Sequence, residues 1–365
     1  MTNDSLYAVM MAGGVGSRFW PESRRSNPKQ LLTLFSSKQL ITETADRLKE
    51  LIPYSRQLVV TNKDQQAGIL KAVPGIPAKN VIIEPVGRNT APCIGLAAIE
   101  IDRIDPDATM IVLPADHIIK NDKRFRELLE VAAQYARKTE SLVTLGIKPH
   151  YPETGYGYIQ SGDLIETIDD VDIFNVKTFA EKPNIETAQR FLKSGEFNWN
   201  SGMFIWKVST ILQEIEEYMP ELFDGLMKIK KAFGKNNEQA TIERVYKSLK
   251  RRSIDYGIME HSKKVATLSG DFEWNDVGSW DVIYDLNKNK DAEDNAVINA
   301  AESLLINSSG NLVSTKNKKL VAMINVDNLI VIDTGDALMI CPRDKSQDVK
   351  RFVEELEKKR WDEYL

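Results

Sequence analysis

The sequence predicts an α/β fold: a mostly parallel sheet covered by helices on both faces, followed by a small β-rich module. Three observations predict it. Short apolar, β-branched runs alternate with amphipathic stretches through the first half. Past about residue 163 that alternation loosens into an α+β pattern. Beyond a charged, breaker-rich segment, NKNKDAEDN at 287–295, short strands follow one another with Asn, Asp and Gly between them.

In chain order, strands are expected at Leu6–Met11, Gln57–Thr61, Val81–Glu84, Thr109–Leu113 and Leu142–Gly146. Between them the stripes Ile41, Ala45, Leu48, Ile52 and Phe125, Leu128, Ala132, Tyr135 recur at helical spacing. Strand, helix, strand at this rhythm describes parallel strands buried on both faces. A ligand of such a sheet sits beyond the carboxyl ends of its strands. Strands Asn175–Ala180 and Met203–Val208 then alternate with helices near Ile185–Lys193, Thr210–Tyr218 and Glu238–Leu249. The 287–295 segment divides a larger domain, 1–290, from a β-rich module, 295–365. The module closes on a helix whose stripe is Val349, Phe352, Val353 and Leu356. That stripe must be buried, and both its own module and a homodimer interface would serve. The chain shows no low-complexity tract and no long internal repeat.

At 365 residues, 42% hydrophobic and 28% charged, the chain is long enough to bury a sizeable core. A net charge of −5 argues against a nucleic-acid partner, which needs a broad basic face. No apolar run is long enough for a bilayer, and MTNDSLYAVMMAGG lacks a signal pattern. The two cysteines, Cys93 and Cys341, lie far apart without metal-type spacing, which fits a reducing, cytoplasmic setting. Three scattered histidines leave zinc little support, so a metal here is expected to be a hard one held by carboxylates.

The first expected strand runs into MAGGVGSRFWPESRRSNPKQ, residues 11–30, which holds three glycines, three arginines and a lysine. Bare backbone followed by positive charge suits an anion. Two familiar phosphate loops fail: no Gly-Lys-Ser/Thr is present, and a G-x-G-x-x-G starting at Gly14 meets Phe19. Glycines at 13, 14 and 16 would let backbone N–H groups approach phosphate oxygens, with Arg18 to neutralise them. A flexible surface loop with solvated arginines reads equally well from spacing alone.

The stretch GGVGSRFWPESRRSNPKQ resembles the signature of the sugar-nucleotide pyrophosphorylases, and its Trp-Pro-x-Ser-Arg form resembles the mannose-1-phosphate guanylyltransferases. Further blocks similar to that family follow in order: EPVGRNTAP (84–92), LPADH (113–117), TGYGYI (154–159), FAEKP (179–183), NSGMFIW (200–206), IDYGIME (254–260) and FEWNDVGSW (272–280). The resemblance implies a Rossmann-like nucleotidyltransferase domain and a left-handed β-helix-like module, without the isomerase domain of longer members. It implies a reaction of GTP with mannose 1-phosphate that gives GDP-mannose and pyrophosphate. It also implies Mg²⁺ on Asp116 and Asp276, and Arg18 and Lys29 on the triphosphate. Lys182 would take the sugar phosphate, while Glu181, Asn200 and the backbone at Gly157 would meet sugar hydroxyls. Gly13, Gly14, Gly16 and Ser17 would lie against the nucleotide, with Glu84, Asn89 and Thr90 near its base.

Each of these residues also has an ordinary reading. Asp116 and Asp276 suit turns, Glu-Lys-Pro suits a strand end, and Asn89-Thr90 suits a helix cap. Tyr156 and Tyr158 are expected to be half-buried strand residues rather than a sugar platform. Three rival functions are weighed: a UDP- or dTDP-sugar pyrophosphorylase, a non-catalytic effector-binding relative, and a generic sugar-phosphate binding module, which would have no use for two metal carboxylates. The second is expected to have lost one of Arg18, Lys29, Asp116, Lys182 or Asp276, and this chain has all of them.

Overall fold

The computed structural model describes residues 5–365; the first four residues of the stretch read above for a signal, also the start of the 1–290 division, lie outside them. The chain forms two compact units, and neither is one continuous stretch. The first takes the chain as far as Gly13, then Thr44–Gln66 and Val73–Asn275; the second takes Gly14–Glu43, Ala67–Ala72 and Asp276–Leu365. The glycine loop is thus grouped with the tail, which a linear division of the chain has no means to express.

The first unit is built on a nine-stranded mixed sheet. Strands β1 (Leu6–Met11), β2 (Gln57–Asn62), β3 (Val81–Glu84) and β4 (Thr109–Pro114) are mutually parallel, in the order β3-β2-β1-β4. A short β5 (Ile118–Ile119) follows, then β6 (Leu142–Ile147), β7 (Tyr158–Ile168), β8 (Val171–Ala180), β9 (Phe197–Lys207), β10 (Val265–Gly270) and the short β11 (Trp274–Asn275). The order continues from β4 as β9-β6-β10-β8-β7. β9 runs antiparallel to both its neighbours, and β6 and β10 are parallel. One face packs on helices Thr90–Ile104, Val208–Tyr218, Pro220–Lys230 and Glu238–Ser248, and the other on Asp122–Thr139. β1, β2, β4 and β6 are buried almost throughout, which explains why they read as unbroken apolar runs. The sequence reading passed over β7, β10 and the helices Gln66–Ala72, Pro220–Lys230 and Trp280–Leu286. β7 carries exposed, polar and glycine positions over most of its length and so lacks a clean alternation.

In the second unit, strands β12 (Ala296–Ile298), β14 (Leu312–Thr315) and β16 (Leu329–Asp333) stack in parallel and β17 (Leu338–Pro342) adds an antiparallel edge. β13 (Glu302–Ile306) pairs in parallel with β15 (Leu320–Ile324). Successive coils are therefore joined strand on strand. Buried asparagines mark the register: Asn311 Nδ2 donates to Asn295 Oδ1 at 2.9 Å, and Asn311 Oδ1 accepts the Leu329 N–H at 2.9 Å. Each asparagine satisfies backbone groups of the next coil, a role that buried amides must fill to avoid a desolvation cost. This repeat is short and its coils unequal, which hid it from a search for long repeats. In the closing helix, Lys350–Lys359, no residue is fully buried; Val349 at its start is. Phe352 instead lies with its ring 5.5 Å from that of Trp20, in the glycine loop. Among the described residues no helix is long and apolar enough to cross a membrane.

Candidate functional site

Parallel pairing puts the carboxyl ends of β1, β2, β3 and β4 at one edge of the first unit, with Met11 opposite Pro114 and Asn62 opposite Glu84. Gly13, Glu84 and Asp116 follow from that edge. Glu84 is buried, accepts the Tyr246 hydroxyl, and turns its other oxygen toward Gly13, where a Cβ would lie 2.9 Å away. Asn89 caps the helix Thr90–Ile104, its side chain accepting the Thr90 N–H at 2.8 Å, and the Thr90 hydroxyl accepts the Ile254 N–H at 2.8 Å. The capping role read from the sequence is therefore realised.

Burial pushes the Glu84 carboxyl up from 4.5 to about 7, against the opposing effect of the Tyr246 hydrogen bond. The folded chain then keeps a proton that the unfolded chain releases above about pH 4.5. This group's contribution to stability is complete below that pH and is lost as pH rises through about 7, a change on the order of 3 kcal/mol. Urea unfolding at pH 5 and pH 8 is expected to show that loss, and Glu84→Gln to remove most of it. An equal pH slope in both proteins would contradict the assignment.

A second group forms at the end of β7, β8 and β9. Tyr158 pairs with Ala180 on one side and Trp199 on the other, so Gly157, Glu181 and Asn200 come next to one another. A Cβ on Gly157 would lie 2.5 Å from Glu181 Oε2 and 3.3 Å from the Asn200 Cβ, so a larger residue there would displace the Glu181 carboxylate. The Asn200 N–H donates to the Gly157 carbonyl at 2.8 Å, and Asn200 Nδ2 donates to Asp255 Oδ1 at 2.8 Å. Lys182, two residues past the end of β8, has φ of 46°, and its ammonium lies 3.2 Å from Glu181. A lysine in the left-handed region is the kind of local strain that clusters at functional sites. Loss of solvent, and then the Glu181 charge, push Asp255 up to about 6.

Asp255 is the residue the sequence reading missed. It opens a single π turn, Asp255–Met259, inside the quoted IDYGIME block, and such turns are frequent at functional sites. Tyr158 is fully buried, and Tyr156 precedes the strand, edge-on to Trp199 and Trp274, so neither is the half-buried strand residue expected.

In the second unit the glycine loop is a built structure. Gly16 has φ of +73°, and a Cβ there would lie 2.4 Å from the Lys29 Cβ. The Ser23 hydroxyl donates to the Gly16 carbonyl at 2.7 Å, and the Lys29 N–H donates to the Val15 carbonyl at 3.1 Å. Lys29 is buried, and its Nζ donates to the Asp276 backbone carbonyl at 2.6 Å. Arg18 is exposed on the turn Ser17–Phe19 and forms no ion pair among the described residues. At Gly14 a Cβ would meet nothing within 4 Å among the described residues, so packing does not require glycine there.

Asp116 and Asp276 belong to different units, and each is half-buried. In the first unit β5 pairs with β11, Asn275 opposite Ile118, and Asp276 is the next residue of the chain. His117, beside Asp116, accepts the Trp274 indole N–H on Nδ1 at 3.0 Å. A carboxylate oxygen is the kind of donor that a hard dication prefers. Among the described residues no cluster of three or more His, Cys, Asp and Glu side chains forms a metal cage.

Comparisons with known proteins match two successive stretches of the chain. A family model described as nucleotidyl transferase matches residues 7–293, and one described as a mannose-phosphate isomerase/GMP-like β-helix domain matches 301–356. The chain is 38% identical over 362 residues to a mannose-1-phosphate guanylyltransferase of Klebsiella pneumoniae, covering 98% of this chain and 75% of that protein. A mannose-1-phosphate guanylyltransferase of Escherichia coli strain K12 is 37% identical, with 98% and 74% covered. Among solved structures, a Thermus thermophilus protein described as a mannose-1-phosphate geranyltransferase superposes with a TM-score of 0.85 at 32% identity, covering 97% of this chain and 99% of that one.

Proposed function

Since this chain belongs to the mannose-1-phosphate guanylyltransferase family of nucleotidyl transferases, we propose that it joins GTP and mannose 1-phosphate into GDP-mannose, releasing pyrophosphate. An oxygen of the sugar phosphate attacks the α-phosphorus. One P–O bond forms as the bond to the outer phosphates breaks, and the electron pair leaves with pyrophosphate. The attacking phosphate is already ionised, so no protein base or nucleophile is needed. Both reactants are anions, and the protein's work is alignment and neutralisation.

The reading assigns Arg18 and Lys29 to the triphosphate and Lys182 to the phosphate of the sugar. Gly157, Glu181 and Asn200 meet the sugar, with Asp255 holding Asn200 in position. Gly13, Gly14, Gly16 and Ser17 let the backbone approach the nucleotide, and Glu84, Asn89 and Thr90 lie toward the base. Asp116 and Asp276 are assigned to Mg²⁺, which when bound would stabilise charge on the reacting phosphates. The observation that carries the reading is the Lys29–Asp276 bond, which fastens a phosphate-neutralising lysine to the segment bearing a candidate metal carboxylate.

The test is pyrophosphate release across several nucleoside triphosphates and sugar 1-phosphates, with and without Mg²⁺. Turnover confined to GTP with mannose 1-phosphate is expected; preference for UTP or dTTP would favour the related pyrophosphorylases. In the same assay Arg18→Ala is expected to raise KM for GTP, and Lys182→Ala KM for mannose 1-phosphate, each on the order of tenfold, the worth of one charge-assisted hydrogen bond. Identical effects on both substrates would contradict separate roles.

Along the chain the reading places the catalytic domain at 1–290 and the β-rich module at 295–365, a division supported by the spans of the two family matches. A cytoplasmic setting is supported by Cys93 and Cys341, both free. A homodimer is supported by Leu304, Ile306, Leu320 and Ile324, exposed on one face of the β13–β15 pair. Light scattering at the monomer mass at every concentration would remove it.

A further inference from the structure

We infer that the turn Asp362–Tyr364 is a clasp on the glycine loop, and that Arg24 and Trp20 are positioning residues for GTP. The inference rests on the reading of Arg18 and Lys29 as the triphosphate grips. All the residues involved belong to the second unit.

One backbone carbonyl, that of Tyr364, accepts two donors from the loop: the Trp20 indole N–H at 2.9 Å and an N–H of the Arg24 guanidinium. Arg24 spends its remaining donors in the same place. Its Nε donates to the Pro21 carbonyl at 2.8 Å, and its Nη2 lies 3.2 Å from both carboxylate oxygens of Asp336. Phe352, from the closing helix, backs the Trp20 ring. Arg25 adds bonds to Asp362 and Glu357 at 3.1 and 3.2 Å.

Magnitudes decide which of these matter. Both partners of each Arg25 pair are open to water, where an ion pair contributes little. Arg24 has a side chain only 14% exposed, and a hydrogen bond from a charged group shielded from water is worth more. Trp20 and Arg24 therefore carry the clasp.

Their place in the loop gives the clasp its function. Ser23, the residue before Arg24, holds the Gly16 carbonyl, and Arg24 and Asn27 exchange backbone hydrogen bonds that set the turn into Pro28 and Lys29. Upstream, the Trp20 carbonyl accepts the Trp280 indole N–H at 3.3 Å, and Phe19 packs on the Trp280 ring. A tether at Trp20 and Arg24 thus braces the chain between Arg18 and Lys29 without either side chain belonging to the grips. A binding constellation needs such a supporting shell, because small misplacements of its groups cost much of their effect.

A purely structural clasp would lower the melting temperature and leave both KM values alone. The full-length protein carrying Arg24→Gln is expected to raise KM for GTP by about five- to tenfold, with KM for mannose 1-phosphate within about twofold of the original. Arg24→Lys, which keeps the charge without the fork, is expected to fall between the two. Trp20→Phe, which removes one N–H and keeps the ring, is expected to raise KM for GTP by about twofold or more and guards against a misfolded Arg24 variant. Limited trypsin digestion followed by mass spectrometry gives a readout independent of turnover: cleavage after Arg18 is expected to be faster in Arg24→Gln and Trp20→Phe. Equal shifts in both KM values, or unchanged KM for GTP together with unchanged cleavage, would overturn the clasp. If the unaltered protein does not turn over GTP, the functional reading fails, and the rate of cleavage after Arg18 still decides whether the clasp holds the loop.

Discussion

Asp116→Asn and Asp276→Asn are each expected to cut pyrophosphate release by about a hundredfold or more, while the melting temperature moves by no more than about 3 °C. Asparagine keeps the shape of aspartate and much of its hydrogen bonding, and both positions are half-buried at the ends of short segments rather than in the core. What it loses is the anionic oxygen that suits a hard dication, and several kcal/mol of charge stabilisation at the reacting phosphates goes with it. A thermal-shift titration with GTP and Mg²⁺ supplies a second readout: the stabilisation that the pair gives the unaltered protein is expected to shrink in both variants. Near-normal rates in either variant, with normal melting, would remove that residue from the metal site.

Gly16→Ala is expected to lower kcat/KM by about a hundredfold and stability by about 1–3 kcal/mol. Two costs act together there. An alanine at φ of +73° is in the left-handed region, at a cost on the order of 1 kcal/mol. Its Cβ would also stand 2.4 Å from the Lys29 Cβ, which must move by about 1 Å to reach an ordinary contact distance. Lys29 is buried and bound to the Asp276 carbonyl, so that movement strains a bond joining the loop to the FEWNDVGSW block. Gly14→Ala separates packing from binding, since its Cβ meets nothing among the described residues. Its stability is expected to stay within about 0.5 kcal/mol of the original while GTP binding weakens. Denaturant unfolding and kcat/KM on both variants decide the matter; a Gly16→Ala enzyme with normal rates would show that Lys29 has no fixed position to lose.

Legibility in the sequence followed burial for the first strands but not for β10, whose first four residues are buried and which went unread. Strands β1, β2 and β4 are enclosed on both faces, so their apolar runs stood out and their bounds were read to within a residue. β7 is mostly half-exposed with shifts in its register, and nothing in its residues announces a strand. The site divides the same way. Gly157, Glu181 and Asn200 were named from short blocks, but only the pairing of Tyr158 with both Ala180 and Trp199 explains why blocks so far apart form one group. Asp255 escaped because its relation to Asn200 spans 55 positions of chain. The apolar stripe of the closing helix was legible, but its partner was not: Phe352 meets Trp20, a residue read only as part of an anion loop.

The stacked asparagines of the β-rich module make its length a quantity that changes in whole steps. Asn311 binds the coil before it and the coil after it through opposite ends of one amide, so an added or deleted residue leaves an amide facing the wrong partner and turns every following side chain to the other face. A complete extra coil bearing its own asparagine costs neither, because each coil needs only its neighbours. Length variation in this module is therefore expected to come in multiples of one coil, and a linker or tag placed between β12 and β16 is best tolerated when it replaces or duplicates a full turn of the stack.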